Sequence, residues 1–142
     1  MDCQDRLSRG APVWTAKSGV KGVITGSVSP DLEATVRLTV CGENEEEIEA
    51  IDTGFSGFLT LPSAFVASLA LTWRGREDAV LGDGSIHPFD VYAAEVIWDG
   101  LPRILEINLA ETVPLIGMGM LFGHELCMKV MDGGKVTVRL EQ

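Results

Sequence analysis

Residues 50–59 read Ala50-Ile51-Asp52-Thr53-Gly54-Phe55-Ser56-Gly57-Phe58-Leu59. In this stretch a single carboxylate, Asp52, ends a strand-like run, and a second apolar run begins a few small residues later. We therefore expect Asp52 to be rigidly held and incompletely solvated. The triplet Asp52-Thr53-Gly54 occurs once in the 142 residues, so chemistry that needs two facing carboxylates of this kind needs two chains.

The residues on both sides of this stretch have the patterns of short strands. Apolar and polar residues alternate over Ala34–Val40, which predicts a half-buried strand with Val36, Leu38 and Val40 on one face. An acidic turn at 42–46 leads into a strand over 47–52, and Asp52 shares its parity with Ile48 and Ala50. After Asp52, residues 58–61 predict a strand that stops at Pro62, and residues 62–69 suit two helical turns.

The second half of the chain continues as hairpins. Residues 76–97 predict a long hairpin reversed by Gly82-Asp83-Gly84-Ser85, and strands follow at 101–109 and 113–116. Residues 118–124 suit a short helix, and residues 126–131 and 135–141 suit a last hairpin. Residues 1–19 have no periodicity and predict a loose N-terminal arm. The sequence therefore predicts an all-β domain over residues 20–142, with one or two short helices.

Composition narrows the function classes. Hydrophobic residues make up 46% of the chain and charged residues 23%, which is typical of one globular domain. The formal net charge of −10 argues against nucleic acid as a partner, because phosphate binding needs clustered Lys and Arg. No apolar run has the length of a membrane span, and residues 1–20 lack the apolar block of a signal peptide. We predict a cytoplasmic protein that binds neither membrane nor nucleic acid.

Three cysteines and two histidines are the candidates for metal or redox chemistry. Cys3, Cys41 and Cys127 are odd in number and widely spaced, and only His87 and His124 could serve as co-ligands. This pattern predicts reduced thiols and no metal site. We expect His87, in a hairpin, and His124, at the end of a short helix, to have local structural roles rather than to shuttle protons.

Two other motifs suggest different chemistry and fit it poorly. Gly54-Phe55-Ser56-Gly57 resembles a nucleophile elbow, but its spacing is wrong and no strand-turn-helix unit surrounds it. Gly117-Met118-Gly119 imitates a dinucleotide-binding loop, but the chain ends too soon for the strand and acidic residue that must follow. An isolated Asp-Thr-Gly is also good turn chemistry, so Asp52 needs support from other parts of the chain.

That support comes from three elements in a fixed order. The catalytic-type loop at 52–57, the glycine-rich hairpin at 82–85 and the apolar segment 114–121 resemble retropepsin-like aspartic proteases, most closely their single-domain bacterial members. The resemblance covers roughly residues 20–142. It implies a closed β-barrel with a flap hairpin, acting as a homodimer without a cofactor or metal. Its implied activity is that of an aspartic endopeptidase that cleaves extended polypeptides.

The resemblance also implies roles for individual residues of the catalytic loop. Asp52 from each of two chains would hold the attacking water, with one proton shared because two close carboxylates do not both ionise. Thr53 would hydrogen-bond across the dimer, and Ser56 would support the outer oxygen of Asp52. Gly54 would let a backbone N–H approach the carboxylate, where a side chain would obstruct it.

Two further groups complete the implied site. The supporting element behind the loop would be Leu115, Ile116 and Gly117. The flap tip that covers the peptide would be Gly82, Asp83, Gly84 and Ser85, with Asp83 forming the turn rather than acting in catalysis. Phe55 and Gly57 depart from the small and polar residues usual at these places in retroviral members, which predicts a differently shaped pocket.

Some alternatives stay open at this point. A catalytically silent dimerisation or peptide-binding module could have the same fold and keep Asp52 for structure. A ligand-binding β-barrel unrelated to proteolysis is a third possibility. Either the C-terminal hairpin or the arm before residue 20 could supply the strands that join two copies.

Overall fold

The computed structural model describes residues 22–141, so the predicted arm at 1–19 lies outside the described residues. The described chain forms ten strands and two short helices, which confirms the all-β prediction. Their bounds are β1 (Val23–Val28), β2 (Ala34–Cys41), β3 (Glu45–Ile51), β4 (Leu59–Leu61), α1 (Ser63–Leu69), β5 (Thr72–Val80), β6 (Ile86–Trp98), β7 (Leu101–Leu109), β8 (Leu115–Ile116), α2 (Met118–Leu121), β9 (His124–Met128) and β10 (Lys135–Leu140).

Six of these strands close into a barrel. They are hydrogen-bonded in the order β6-β7-β4-β8-β3-β2, and a further pairing of β2 with β6 closes the ring. Most pairs are antiparallel, but β3 pairs with β8 and β4 with β7 in parallel. Beyond the ring, β1 pairs with β2, and β10 and β9 follow in turn, so β5 and β9 form the two edges of the sheet.

The barrel core follows from the alternation seen in the sequence. On β2, Val36, Leu38 and Val40 are buried, whereas Arg37 between them is exposed, as predicted. The same period places Val136 and Val138 of β10 in the core. Other strands and α1 complete it with Ile48, Leu59, Leu61, Leu69, Val96, Ile107 and Ile116, all at most 1% exposed.

Several predicted boundaries differ from those in the structure. Strand β1 lies in a segment for which the sequence predicted no element, and β5 begins at Thr72 rather than at residue 76. Helix α2 ends at Leu121 rather than at His124, because Gly123 has a positive φ of 82° and the chain then enters β9. His124 is therefore the first residue of an edge strand and does not close a helix.

Helix α1 is capped by a residue from a distant loop. Its first residue, Ser63, donates its backbone N–H to Glu111 Oε1 over 2.6 Å. The Ser63 side chain and then its backbone N–H lower the pKa of the Glu111 carboxyl below its ordinary value. At the other end Ala70 has a left-handed conformation, with φ 53°, and its N–H bonds back to the last turn.

The cysteines differ from the prediction of reduced thiols. Cys41, at the end of β2, is disulfide-bonded, so the prediction is wrong for this residue. Cys127 on β9 is free and exposed, and Cys3 lies outside the described residues. The sequence could not reveal the bond, because spacing along the chain does not tell which thiols approach within bonding geometry. Disulfides persist mainly in oxidising compartments, so cytoplasmic localisation stays a prediction.

Candidate active site

Asp52 lies where the chain leaves β3 and crosses to β4. These two strands are not neighbours, because β8 lies between them and is hydrogen-bonded to both. The residue before Asp52, Ile51, is in register with Ile116 of β8, which in turn pairs with Leu59 of β4. The loop of residues 52–58 must therefore pass over the end of β8, and Asp52 is placed at this crossing.

The backbone of the loop fixes the carboxylate. The Asp52 N–H donates to Ile116 O over 2.8 Å, which extends the β3–β8 pairing into the loop. The Gly54 N–H donates to Asp52 Oδ1 over 2.8 Å, and the Phe55 N–H donates to Asp52 O over 3.2 Å. Asp52 is half-buried. The half-burial agrees with the expectation of an incompletely solvated acid, and its rigidity stays a prediction.

The need for glycine at position 54 arises from crowding rather than from its conformation. Gly54 is not among the residues with positive φ. A Cβ added there would lie 3.2 Å from Asp52 Oδ1, which is closer than ordinary van der Waals contact. The glycine thus lets the backbone N–H reach the carboxylate, as the sequence analysis proposed.

The second half of the loop is tied to the segment that follows β8. Gly117 N–H donates to Phe58 O over 2.8 Å, and Met118 N–H donates to Phe55 O over 2.7 Å. Gly119 N–H donates to Gly57 O over 2.9 Å. Three successive parts of the loop are therefore held by the start of α2, and the carboxylate sits on a backbone scaffold with little freedom.

The predicted supporting element is next to the loop. Ile116 and Gly117 are buried, and Leu115 is half-buried with its N–H donating to Thr60 Oγ1 over 3.1 Å. The structure thus brings Asp52, Gly54 and this element together. Thr60, Met118 and Gly119 are further supports that were not expected from the sequence, although the Gly-x-Gly spacing at 117–119 signals a close backbone approach.

The Phe55 ring packs over two of these glycines. A Cβ added at Gly57 would lie 2.5 Å from Phe55 Cζ, and one added at Gly117 would lie 2.4 Å from Phe55 Cδ2. Phe55 is itself half-buried. The ring therefore occupies space beside the Asp52 loop that side chains at positions 57 and 117 would otherwise fill.

Thr53 and Ser56 are exposed on the loop. Within the described part of the chain no hydrogen bond joins the Ser56 side chain to Asp52. Their implied roles, one of them across a dimer, stay predictions.

The predicted flap residues lie at the tip of the β5–β6 hairpin, away from the loop in sequence. Leu81 N–H donates to Ser85 O over 2.8 Å, and Gly84 has a positive φ of 84° that closes the turn. Asp83 Oδ1 accepts from the Ser85 hydroxyl over 2.5 Å and from the Ser85 N–H over 2.9 Å. These bonds lower the pKa of the Asp83 carboxyl, with the hydroxyl contributing most. Asp83 is thus a turn former, and Gly82 borders open space.

Between residues 22 and 141, no group of three or more His, Cys, Asp or Glu residues is placed to hold a metal ion. None of the helices in the same range is long and apolar enough to cross a membrane. His87 lies on β6 in the β5–β6 hairpin, and His124 packs edge-on against Trp98 with ring centroids 6.0 Å apart.

Comparison with known proteins gives a likeness of fold. No family model matches the chain, and no curated protein matches it. Among solved structures, it is similar to a retropepsin-like aspartic protease from Rickettsia conorii, with a TM-score of 0.54 and 13% sequence identity. The match covers 89% of this chain and 98% of that one. The closed barrel described above is therefore a retropepsin-like fold.

Proposed function

We propose that this protein is an aspartic endopeptidase whose active site forms when two copies bring their Asp52 loops together. The observation that carries the proposal is the placement of Asp52. It is a half-buried carboxylate in the loop that crosses from β3 to β4 over the end of β8, and backbone hydrogen bonds hold it on both sides. The solved structure with the same fold is named as an aspartic protease, which supports the same activity here.

The chemistry follows from two such carboxylates facing each other. Close carboxylates share one proton, because a second negative charge at hydrogen-bond distance is costly. The ionised Asp52 takes a proton from a bound water, while the protonated Asp52 of the second copy donates to the peptide carbonyl. The water attacks the carbonyl carbon and the C–N bond then breaks, with a proton passing to the leaving amine. One chain contains a single Asp-Thr-Gly triplet, at residues 52–54, so it supplies one of the two carboxylates.

The flap hairpin supports a polypeptide as substrate. Apolar side chains are exposed near its tip, namely Val80, Leu81 and Ile86. Exposed apolar residues on a projecting ribbon can cover an extended peptide and exclude water from the reacting bond. An extended peptide would also offer backbone groups for pairing with strand edges.

The C-terminal hairpin supports the second copy as partner. Strand β10 is paired on both sides, whereas the outer edge of β9 has no strand partner in the described sheet. The β9 residues whose parity faces the core, His124, Leu126 and Met128, are only half-buried. Antiparallel pairing of β9 with β9 of a second copy would satisfy this edge and cover these side chains. We therefore favour the C-terminal hairpin over the N-terminal arm as the source of dimer strands.

The test is cleavage of a denatured protein mixture between pH 4 and 7. Wild type and Asp52→Asn are compared at equal concentration, with Glu47→Ala as a control that removes an exposed carboxylate of β3, which pairs with Arg37. We expect wild type and the control to cleave and Asp52→Asn to be inactive. An inert wild type that is still dimeric would refute the enzyme and favour a silent dimerisation or peptide-binding module. Equal cleavage by Asp52→Asn would also refute it.

Dimer stability is a separate test of the facing arrangement. Asp52→Asn removes like-charge repulsion between the two carboxylates, so the dimer is expected to be at least as stable as wild type near neutral pH. Sedimentation over a dilution series measures this. A marked loss of dimer in Asp52→Asn would contradict the placement of the two acids face to face.

A further inference from the structure

The flap hairpin, formed by β5 and β6, separates from the rest of the barrel at one residue pair. Strand β6 pairs with β7 only from Val91 onward, where Val91 is in register with Asn108. Beyond that point residues 76–90 pair only with each other, across the two arms of the hairpin. The hairpin thus leaves the barrel as a free two-stranded ribbon, and the pair Gly75–Val91 lies at its base.

A bulge occupies this base. The register of β5 on β6 shifts between Trp73 and Gly75, and Gly75 has a positive φ of 152°. A Cβ at Gly75 would meet no atom within 4 Å, so the glycine serves the conformation rather than close packing. Bulges bend a strand and increase its local twist. The angle at which the ribbon leaves the barrel is therefore set here.

One carboxylate connects the two sides of the bulge. Asp90 Oδ1 accepts from Trp73 Nε1 over 3.1 Å, and Trp73 precedes the bulge. The same oxygen lies 3.5 Å from Arg76 Nε, and Arg76 follows the bulge and is in register with Asp90. Asp90 therefore holds a residue on the barrel side and a residue on the ribbon side at once.

We propose that Asp90 is a positioning residue which, through Trp73 and Arg76, fixes the angle of the flap at the Gly75 bulge. The function of the ribbon as a flap rests on the proposed endopeptidase activity. The contacts of Asp90 with Trp73 and Arg76, which we call the latch, do not depend on that activity. The side chains of Arg76 and Asp90 are 62% and 31% exposed, so their ion pair is screened and weak. A weak latch suits a flap, because it biases one angle and still opens when a peptide enters or leaves.

The flap angle can be measured by the distance between two spin labels on one chain. Labels are placed through Gly82→Cys at the tip and Ala67→Cys on the exposed side of α1, in a Cys127→Ser background. The labelled chain is diluted into excess unlabelled chain, so that each dimer carries one pair. We compare otherwise wild-type protein, Asp90→Ala, Trp73→Phe and the double variant. Glu47→Ala is the control, because it removes an exposed cross-strand ion pair with Arg37 outside the flap.

We expect a single narrow distance for the wild-type flap and for Glu47→Ala. Asp90→Ala broadens the distribution and shifts its mean, and Trp73→Phe, which loses the indole N–H, does so in part. The double variant matches Asp90→Ala, because both changes release the same latch. A distribution for Asp90→Ala equal to that of Glu47→Ala overturns the proposal. Independent, additive effects of the two changes overturn it as well.

Kinetics separate a positioning role from a merely structural one. In an active enzyme, Asp90→Ala raises KM about two- to fivefold, the range expected for losing one exposed ion pair. The value of kcat stays unchanged, because the closed flap is the same once peptide is bound. A fall in kcat at constant KM would contradict the latch. A shifted distance in a protein without peptidase activity refutes the proposed function but supports the latch, and an unshifted distance in an active enzyme does the reverse.

Discussion

Phe55 should decide whether a side chain is tolerated at Gly57. In Gly57→Ala the new Cβ would lie 2.5 Å from Phe55 Cζ and 2.7 Å from Cε1, while Asn108 Nδ2 is at an ordinary 3.4 Å. The obstacle is thus the far end of one ring. Overpacking of this kind costs about 1–3 kcal/mol. In a Phe55→Ala background the ring is gone, and Gly57→Ala should cost almost nothing.

Gly117→Ala provides the contrast. Its Cβ would lie 2.4 Å from Phe55 Cδ2, but also 2.3 Å from Gly57 O and 2.9 Å from Phe55 O. Backbone oxygens that are tied into the loop by hydrogen bonds cannot turn away as a ring can. Phe55→Ala should therefore fail to rescue Gly117→Ala.

The assay is urea unfolding of wild type, the three single variants and the two double variants. Protomer concentration is held fixed, because association adds to apparent stability. We expect a coupling free energy of about 1–3 kcal/mol between Gly57→Ala and Phe55→Ala. For Gly117→Ala the coupling should be clearly smaller than its own destabilisation. Additivity within about 0.5 kcal/mol at Gly57, or equal rescue at both glycines, would refute the reasoning.

Four further variants test other parts of the fold by urea unfolding. Glu111→Gln should be less stable than wild type above about pH 4.3. The free energies of unfolding of the two proteins should converge as the pH falls through the lowered pKa of Glu111, because wild type then loses the cap on Ser63. Parallel pH curves would contradict this. Trp98→Phe should have a free energy of unfolding within about 1 kcal/mol of wild type. The buried Trp98 Nε1 has no hydrogen-bond partner within residues 22–141, so the gain from removing it offsets the cost of the lost volume. A loss typical of a cavity would contradict this. Gly26→Ala should cost about 3 kcal/mol or more, since its Cβ would lie 1.8 Å from a backbone oxygen, whereas Gly82→Ala borders open space and should be neutral; similar losses would contradict the geometry.

The sequence predicted those parts of the fold that have a periodic signal. Strand β2 alternates cleanly because one of its faces is in the core, and its prediction over 34–40 is confirmed. Strand β8 has only two residues, too few for any period to show. Its insertion between β3 and β4 is a long-range pairing, and local pattern carries no information about it. The same reason hid the disulfide at Cys41 and the register that leaves β9 at an edge.

In the candidate site, the position of Asp52 in a loop after β3 could be predicted from the sequence, and its supporting contacts only in part. Asp52 could be singled out because it stands in the one Asp-Thr-Gly triplet of the chain, between a predicted strand and a second apolar run. The hydrogen bonds from Met118 and Gly119 to the loop could not be predicted, because they join backbone groups and do not depend on side-chain type. Only the glycines show such contacts in a sequence, because close backbone approach requires them.

The residue types at positions 55 and 57 are linked by packing. The ring at position 55 fills the space that a side chain at position 57 would need, as the 2.5 Å approach shows. A bulky residue at 55 therefore requires the smallest residue at 57, and a small residue at 55 would permit a larger one there. The two positions act as one packing unit beside Asp52. Exchange of bulk within that unit alters the shape of the wall next to the carboxylate, while the backbone bonds that hold Asp52 are unchanged.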